Sequence, residues 1–200
     1  MTHRVAIVLL AAGASRRMRG RDKLLEPIDG LPLLRRVANV AWSSTASEII
    51  VVLGAKAEAR RDALFTLPLR ITHNPDWESG MASSIRCGIR SLDKAVDGAV
   101  IMLGDMPDIQ APFIDAMIES FDPEHGFDIV RPVLASGPVG NPVLFGRRHF
   151  PSLCALDGDT GAKSVIAANR DSVLDYPALD DSILVDLDTP EAWTDWKARH

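Results

Sequence analysis

The sequence predicts an α/β fold, and two patterns in its apolar residues carry the prediction. Continuous apolar runs recur at Val5–Ala11, Ile49–Leu53 and Ala99–Leu103. Runs without polar alternation are typical of strands buried on both faces of a parallel sheet. Between these runs, as in residues 81–92, apolar side chains recur at helical spacing. Strand and helix therefore alternate along the chain, as in an α/β domain.

The same two patterns locate the elements of the first half of the chain. Helical spacing begins after the turn signal Gly30-Leu31-Pro32, where Leu33, Leu34 and Val37 share one face. In chain order, the first half is predicted to form strand Val5–Ala11, helix 33–40, strand Ile49–Leu53, helix 57–64, strand Leu69–Thr72 and helix 81–92.

Shorter patterns extend the alternation through the second half. In chain order, they predict strand Ala99–Leu103, helix Pro112–Phe121, strands Asp128–Val133 and Pro142–Phe145, helices Arg147–Leu156 and Ala162–Asn169, strand Ile183–Leu187 and helix Glu191–Arg199. Proline and glycine cluster at element ends, as in 104–107 and 137–142, and neither a repeat nor a linker divides the chain. Because 200 residues is about the size of one domain, we expect a single domain over residues 1–200.

Composition excludes several classes of protein. Hydrophobic residues make up 46% and charged residues 24% of the chain, as in ordinary globular proteins. The net charge of −5 argues against binding to nucleic acid or to an anionic membrane, which needs a basic face. No apolar run approaches the roughly 20 residues that cross a bilayer, so we expect a cytoplasmic protein. Cys87 and Cys154 lack metal-binding spacing and predict buried thiols, with neither a zinc site nor a disulfide.

A basic loop follows the first strand. Five cations lie within eight positions of an otherwise acidic chain: Arg16, Arg17, Arg19, Arg21 and Lys23. Ligands of open α/β sheets bind at the carboxyl ends of strands, and the small residues 11–14 let backbone N–H groups approach an oxyanion. The loop therefore predicts a polyphosphate site, although it matches neither the P-loop nor the Gly-x-Gly-x-x-Gly pattern. The alternative is a solvated basic loop.

Acidic residues predict a metal ion beside that loop. Asp105 follows a buried strand and is expected at the same sheet edge, where a carboxylate would repel phosphate unless a cation lay between them. Mg²⁺ is the usual cation, because one or two carboxylates and substrate phosphates suffice to hold it. A second acidic segment carries Asp186 and Asp188. The alternatives are helix caps, with Asp105 capping a helix near residue 111 and Asp188 or Thr189 capping the last helix.

Two polar segments precede predicted helices. Residues 73–84 include Gly80, Ser83 and Ser84, and helix N-termini attract anions and polar ligand groups. Residues 157–163 read Asp-Gly-Asp-Thr-Gly-Ala-Lys. In both segments the polar residues serve equally well as helix caps or as parts of a binding site.

Together these motifs resemble a known family. Residues 10–23, Leu-Ala-Ala-Gly-Ala-Ser-Arg-Arg-Met-Arg-Gly-Arg-Asp-Lys, resemble the Leu-Ala-Ala-Gly-x-Ser-x-Arg-Met-Gly-Gly-x-x-Lys signature of the MobA-like nucleotidyltransferases, the relatives of molybdenum cofactor cytidylyltransferase and guanylyltransferase. Residues 104–107, Gly-Asp-Met-Pro, are similar to the metal motif of that family, and residues 80–84 to its Gly-Met-x-x-Ser segment. Later motifs match in order at 140–143, 158–163 and 186–191, so the resemblance covers residues 5–195.

The resemblance implies a fold and a reaction. The fold would be a three-layer α/β/α domain with a mostly parallel sheet, Rossmann-like and similar to the nucleotide-diphospho-sugar transferases. In the reaction, a phosphate on an acceptor such as molybdopterin would attack the α-phosphorus of a nucleoside triphosphate, and pyrophosphate would leave. Mg²⁺ would be the cofactor, and a molybdoenzyme or its chaperone would be the protein partner.

The resemblance also implies a role for each matching residue. Lys23, Arg17 and Asp105 would be catalytic, and Asp105 with Asp188 would hold the metal. Nucleotide contacts are expected from Leu10, Ala11, Ala12, Gly13, Ala14, Ser15, Lys23, Gly80 and Ser84. Acceptor contacts are expected from Asn141, Asp159 and Asp186.

Three positions bear on the choice of substrates. Arg19 replaces the first Gly of the family's pair, and Asn141 stands where the cytidylyl branch commonly has His, which leaves the acceptor open. The guanylyl branch typically reads Leu-Ala-Gly-Gly, whereas this chain has Ala12, whose methyl takes space that a purine would need. We therefore expect CTP. The alternatives are a sugar or polyol phosphate as acceptor, and a non-catalytic protein that binds and delivers a nucleotide or cofactor.

Overall fold

The computed structural model describes residues 3–159 and 161–200. Its strands are β1 (Val5–Ala11), β2 (Pro27–Ile28), β3 (Leu31–Pro32), β4 (Glu48–Leu53), β5 (Arg70–His73), β6 (Gly98–Leu103), β7 (Ile129–Leu134), β8 (Val143–Gly146) and β9 (Val173–Ala178). Its α-helices are α1 (Leu33–Trp42), α2 (Ala57–Ala63), α3 (Met81–Arg90), α4 (Ala111–Glu119), α5 (Phe150–Cys154), α6 (Lys163–Ala168) and α7 (Pro190–Arg199). The predicted alternation of strand and helix is confirmed.

Seven strands form the main sheet in the order β5-β4-β1-β6-β8-β7-β9. The central strand β1 is parallel to both of its neighbours, β4 and β6, and β5 continues the parallel arrangement. β8 runs antiparallel between β6 and β7, while β9 is parallel to β7. The sheet is thus mostly parallel, as predicted, and the carboxyl ends of β1 and β6 meet at one edge.

Helices cover both faces of this sheet. Alternate residues of β1 point to opposite faces, so Ile7 and Leu9 join one buried cluster while Val8 and Leu10 join another. The first cluster contains side chains of α1, α4 and α7, and the second contains side chains of α3, α5 and α6. The predicted three-layer α/β/α arrangement is confirmed.

The predicted last strand is wrong. Residues 183–187 were expected to form a strand, but a short 3-10 turn occupies Asp181–Leu184, and the last strand is β9. Ile183 and Leu187 are buried, and this burial supplies their apolar pattern without strand pairing. The sequence of β9 is interrupted by Pro177, which is tolerated because β9 is an edge strand.

Three smaller differences concern short elements and the cysteines. Strands β2 and β3 form a hairpin that the sequence analysis missed, around the two-residue turn Asp29-Gly30 with both φ angles positive. The helix predicted at 147–156 is confined to α5, after a 3-10 turn. Cys87 and Cys154 are free thiols, but they are half-buried and not buried as predicted. Within the described residues, no helix is both long and apolar enough to span a bilayer.

Candidate active site

The centre of the site lies where β1 and β6 end. The two strands are paired in parallel with Leu10 opposite Leu103, so the loop after β1 and Asp105 leave the same sheet edge. Gly104 donates its N–H to the carbonyl of Leu10 over 3.0 Å, and a Cβ at Gly104 would lie 3.0 Å from that same oxygen. Glycine at this position therefore lets the two chain segments approach closely.

The loop after β1 presents unpaired backbone N–H groups. Ser15 has a left-handed backbone with φ 55°, and the buried side chain of Met18 anchors the following turn. Within the part of the chain that the structure describes, the N–H groups of Gly13, Ala14 and Ser15 donate to no protein acceptor. Successive free N–H groups in such a turn form a concavity suited to an anion.

A cluster of charged side chains faces this loop. Lys23 donates from Nζ to Asp105 over 2.5 Å and also to Asp188. Arg17 donates to the other carboxylate oxygen of Asp188. Lys23 is 15% exposed, whereas Arg17 is 70% exposed, so the lysine is held inside the cleft and the arginine lies at its mouth.

The charges in this cluster shift one another's pKa values. Burial lowers the pKa of the Lys23 ammonium, but the carboxylates of Asp105 and Asp188 outweigh burial and leave that pKa above its ordinary value. Burial raises the pKa of Asp188, and its hydrogen bond and attraction to Lys23 reverse the shift, so the pKa is lowered. The pKa of Asp186 is raised by burial and then by the negative charges of Asp188 and Asp105. Lys23 is therefore charged, and its ammonium donates to the carboxyl groups of both Asp105 and Asp188.

Neither Asp105 nor Asp188 caps a helix. The residue that caps α7 is Thr189, whose side chain accepts from the N–H of Ala192 over 3.1 Å. Gln110 precedes α4 without a side-chain cap, so Asp105 plays no part at that helix. The carbonyl of Asp105 instead accepts the N–H of Leu187 over 3.1 Å, which joins the two acidic segments.

A cavity of about 410 Å³ contains this cluster. It brings together nearly all of the predicted site residues: Leu10, Ala11, Ala12, Gly13, Ala14, Ser15, Arg17, Lys23, Gly80, Ser84, Asp105, Asp159, Asp186 and Asp188. Asn141 is the exception among them, and it lies in a second cavity of about 990 Å³. The two cavities adjoin, because Met81, Leu103 and Asp159 line both.

The far wall of the smaller cavity is formed by the start of α3. Gly80 has φ 108°, and a Cβ there would lie 2.5 Å from the carbonyl oxygen of Gly158. Asp159 accepts the N–H of Met81 over 3.0 Å, so it caps α3 from a distant part of the chain. Thr160, in the same predicted motif, lies outside the described residues.

Buried Asn74, which the sequence analysis missed, orients two serines on α3. Its amide donates to Ser83 over 2.8 Å and to Ser84 over 3.1 Å. Ser83 in turn donates to the carbonyl of Gly80, whereas Ser84 has no donor bond within residues 3–159 and 161–200. The hydroxyl of Ser84 is thus left to donate a hydrogen bond into the cavity.

Arg60 on α2 is a second missed residue. It is fully buried and donates to Asp22 and to loop carbonyls on the side of the loop away from the charged cluster. The sequence offers no way to distinguish Arg60 from the adjacent, exposed Arg61, because burial of one arginine depends on tertiary packing.

The residues of the cleft fit a divalent cation. No group of three or more acidic, histidine or cysteine side chains in metal-binding geometry occurs among the described residues. Asp105 and Asp188 nevertheless both contact one point, the Nζ atom of Lys23. Hard carboxylate oxygens suit Mg²⁺ or Mn²⁺, and one or two carboxylates are enough when substrate phosphates complete the coordination. Acidic side chains outnumber basic ones in the lining of this cavity, so a polyphosphate needs a further cation to bind there.

Comparison with known proteins identifies relatives over almost the whole chain. The chain is 30% identical to the purine catabolism protein PucB of Bacillus subtilis (strain 168), covering 93% of this chain and 92% of that protein. It is 29% identical to nicotine blue oxidoreductase of Paenarthrobacter nicotinovorans, covering 92% of each.

Solved structures share the fold. The Rv0371c homologue from Mycobacterium sp. strain JC1 is 30% identical and superposes with a TM-score of 0.87, covering 100% of this chain and 98% of that one. A complex of Mycobacterium tuberculosis Rv0371c with manganese has a TM-score of 0.80 at 26% identity, covering 96% and 97%. The family model described as the MobA-like NTP transferase domain matches residues 7–173. The chain is therefore a nucleotidyltransferase-fold protein that belongs to the MobA-like NTP transferase family.

Proposed function

We propose that this protein transfers CMP from CTP to a phosphate-bearing acceptor of the molybdopterin type and releases pyrophosphate. An acceptor phosphate oxygen forms a bond to the α-phosphorus of CTP, and the bond from that phosphorus to the β-phosphate oxygen breaks. The observation that carries the proposal is the placement of Lys23 between Asp105 and Asp188, opposite the unpaired N–H groups of the loop. A cytoplasmic location fits a reaction that consumes a nucleoside triphosphate.

Each side of the cleft contributes to holding the triphosphate. The N–H groups of Gly13, Ala14 and Ser15 would bind phosphate oxygens, while Lys23 would turn its ammonium from the carboxylates toward the α-phosphate. Arg17, at the mouth of the cleft, would bind the departing pyrophosphate. Nucleotidyl transfer requires in-line positioning and cations where charge develops, and these groups supply both.

A divalent cation would be held by Asp105 and Asp188. When bound, it would supply charge to the phosphate oxygens that become more negative during transfer. The manganese complex of the mycobacterial relative supports the use of a divalent metal, and Mg²⁺ is the form we propose for this chain.

The base side of the cavity favours a pyrimidine through the room that it leaves. The free hydroxyl of Ser84 can donate to O2 or N3 of cytosine but equally to O6 of guanine, so the choice rests on the space beneath the base. Ala12 is buried, and its Cβ lies 3.0 Å from the position of a Cβ on Gly54, close to Trp77. This packed wall leaves less room beneath the base than the glycine of the guanylyl branch.

The second cavity would hold the acceptor. Its floor is apolar, with Ile85, Ile101 and Phe145. Its rim carries the cations Lys163 and Arg170, while Arg131 is paired with Asp175. An apolar floor with a cationic rim suits a flat ring system bearing a phosphate, and Asn141 would contact that ring. Asp186, which lines the nucleotide cavity, would face the acceptor from the other side. The product would pass to a molybdoenzyme or its chaperone.

The test measures pyrophosphate release from each of the four nucleoside triphosphates with Mg²⁺. Each is assayed without an acceptor, with molybdopterin, and with a sugar phosphate or polyol phosphate. We expect release from CTP that depends on molybdopterin. If release instead requires a sugar phosphate or polyol phosphate, that compound is the acceptor and molybdopterin is not. Tight CTP binding without pyrophosphate release under any condition would show that the protein binds and delivers a nucleotide and is not an enzyme.

A further inference from the structure

Arg60 joins the two ends of the loop from beneath. Its guanidinium donates to the carbonyl oxygens of Ala11 over 2.8 Å and Gly13 over 2.7 Å, at the start of the loop. It also donates to both carboxylate oxygens of Asp22, over 2.9 and 3.0 Å, near the end of the loop. The side chains of Arg60 and Asp22 are 0% and 4% exposed, so water competes with none of these bonds.

Stability alone is a weak reason for this arrangement. Burying a guanidinium and a carboxylate removes both from water, and well-packed apolar residues often replace such a pair without loss of stability. What apolar residues cannot replace is the direction of the bonds, because the planar guanidinium donates along several fixed directions. The contacts of Arg60 therefore indicate a role in setting the geometry of the loop.

The carbonyl contacts orient the N–H groups on the other side of the loop. In a planar trans peptide, C=O and N–H point in opposite directions. Because the carbonyl of Gly13 points to Arg60, the N–H of Ala14 points away from it, and this N–H has no protein partner among the described residues. Arg60 itself is absent from the lining of the nucleotide cavity, whereas Ala14 lines it.

The contact between Arg60 and Asp22 also holds the backbone of Lys23 in place. Asp22 accepts the hydroxyl of Ser15 over 3.0 Å, and the Ser15 oxygen accepts the backbone N–H of Lys23 over 3.2 Å. Arg60, Asp22 and Ser15 thus form a continuous hydrogen-bonded chain that ends at the backbone of Lys23, whose side chain lines the nucleotide cavity.

We propose that Arg60 is a positioning residue that presets the phosphate-binding loop, so that the N–H of Ala14 and the backbone of Lys23 face the triphosphate before it binds. The proposal rests on the proposed nucleotide site. Arg60 touches no substrate, and it acts through the carbonyls of Ala11 and Gly13 and through Asp22.

The test compares Arg60→Lys, Arg60→Met and the double variant Arg60→Met with Asp22→Asn. The double variant removes both buried charges, so it is expected to recover much of the Tm that Arg60→Met alone loses. Titration calorimetry measures the affinity for CTP with Mg²⁺. In all three variants this affinity is expected to be about 10- to 100-fold weaker than in wild type, because misplacing one charge-assisted hydrogen bond causes a loss of that size. In turnover assays KM for CTP should rise as kcat falls.

A matched control is Arg35→Met. Arg35 also binds carbonyls of a neighbouring segment, those of Ala63 and Phe65, but lies outside both cavities. The Arg35→Met variant should have a lower Tm but unchanged KM and CTP affinity.

Two results would show that Arg60 has only a structural role. One is recovery of CTP affinity together with Tm in the double variant, and the other is wild-type CTP affinity in Arg60→Lys. Failure of wild-type protein to bind any nucleoside triphosphate would overturn the proposed function as well.

Discussion

The loop after β1 carries ion pairs on both of its sides, and the two sides differ in their access to solvent. On the cavity side, Arg17 and Asp188 are 70% and 16% exposed. On the buried side, Arg60 and Asp22 are 0% and 4% exposed. The chemistry is the same, a cation bound to a carboxylate. Exposed partners can exchange for a ligand at little cost, whereas buried partners cannot separate without leaving an unpaired charge.

This difference assigns the two sides different tasks. Lys23 is only 15% exposed but lines the cavity, so phosphates and a metal ion can reach its bonds with Asp105 and Asp188, and the cavity side is suited to substrate. Arg60 forms bonds that solvent and ligands do not reach, so the buried side is suited to holding the loop. Substitutions on either side of the loop test this division.

Asp105→Asn should have the largest effect. It removes the carboxylate charge that we propose binds the metal ion and leaves the buried side intact, so we expect turnover to fall by about 10³-fold or more while Tm stays close to wild type. The measurement is pyrophosphate release across a Mg²⁺ titration. Asp62→Asn, at an exposed position of α2, is the control. An unchanged Mg²⁺ titration in the Asp105 variant would remove this residue from the metal site.

Lys23→Ala should lower kcat by about 10²- to 10³-fold, the usual loss for one charged group that stabilises a transition state. Its effect on CTP affinity should be smaller, because the ammonium contributes most when charge develops on the phosphates. Steady-state kinetics and calorimetry separate the two effects, with the exposed Lys94→Ala as control. Wild-type kcat in the Lys23 variant would exclude this lysine from the mechanism.

Asp188→Asn should reduce turnover less than Asp105→Asn, by about tenfold. The amide oxygen can still accept from Lys23 and can still bind a metal weakly. Because Thr189 caps α7, the helix should be unaffected, which circular dichroism checks. A loss as large as that of Asp105→Asn would show that both carboxylates are equally required.

Ala12→Gly should change the choice of nucleotide. Loss of one methyl group typically changes discrimination by about 1–3 kcal/mol, so the ratio of CTP to GTP affinity should fall by about 10-fold or more. Competition binding with Mg²⁺ present measures this ratio. Tighter binding of GTP than of CTP by the unmodified protein would contradict the assignment of CTP.

The smallest expected effect concerns acid stability on the buried side. Burial raises the pKa of Asp22, but hydrogen bonding and attraction from Arg60 lower it below the ordinary value of 3.8. A carboxylate with a lowered pKa stabilises the folded state at neutral pH, and that contribution is lost as pH falls below 3.8. The Tm advantage of wild type over Asp22→Asn should therefore shrink between pH 7 and pH 3. If the Tm difference between wild type and Asp22→Asn stayed constant over this pH range, the lowered pKa of Asp22 would be contradicted.

The parts of the fold that sequence could predict are those with continuous apolar runs. Strands β1, β4 and β6 follow from runs that no surface segment would carry. Strand β9 was missed because Pro177 and Asp175 interrupt its pattern, which only an edge position tolerates. Conversely, residues 183–187 resemble a strand because loop packing buries Ile183 and Leu187.

The residues of the site also divide into those that the sequence could predict and those that it could not. Lys23, Asp105 and Asp188 were predictable because they follow strand ends or lie in motifs, and parallel pairing brings such ends together. Arg60 and Asn74 were not, because their importance lies in burial and in partners distant in sequence. A buried arginine on a short helix has the same local sequence features as a solvated one.

The central claim is that the cavity side transfers a nucleotidyl group, and one measurement tests it most directly. In a single turnover with CTP labelled at the α-phosphate, molybdopterin and Mg²⁺, the account predicts that label appears on the acceptor in equal amount to the pyrophosphate released. Both products should be lost in Asp105→Asn. Label that stays in CTP, or appears as free CMP without a labelled acceptor, would contradict it.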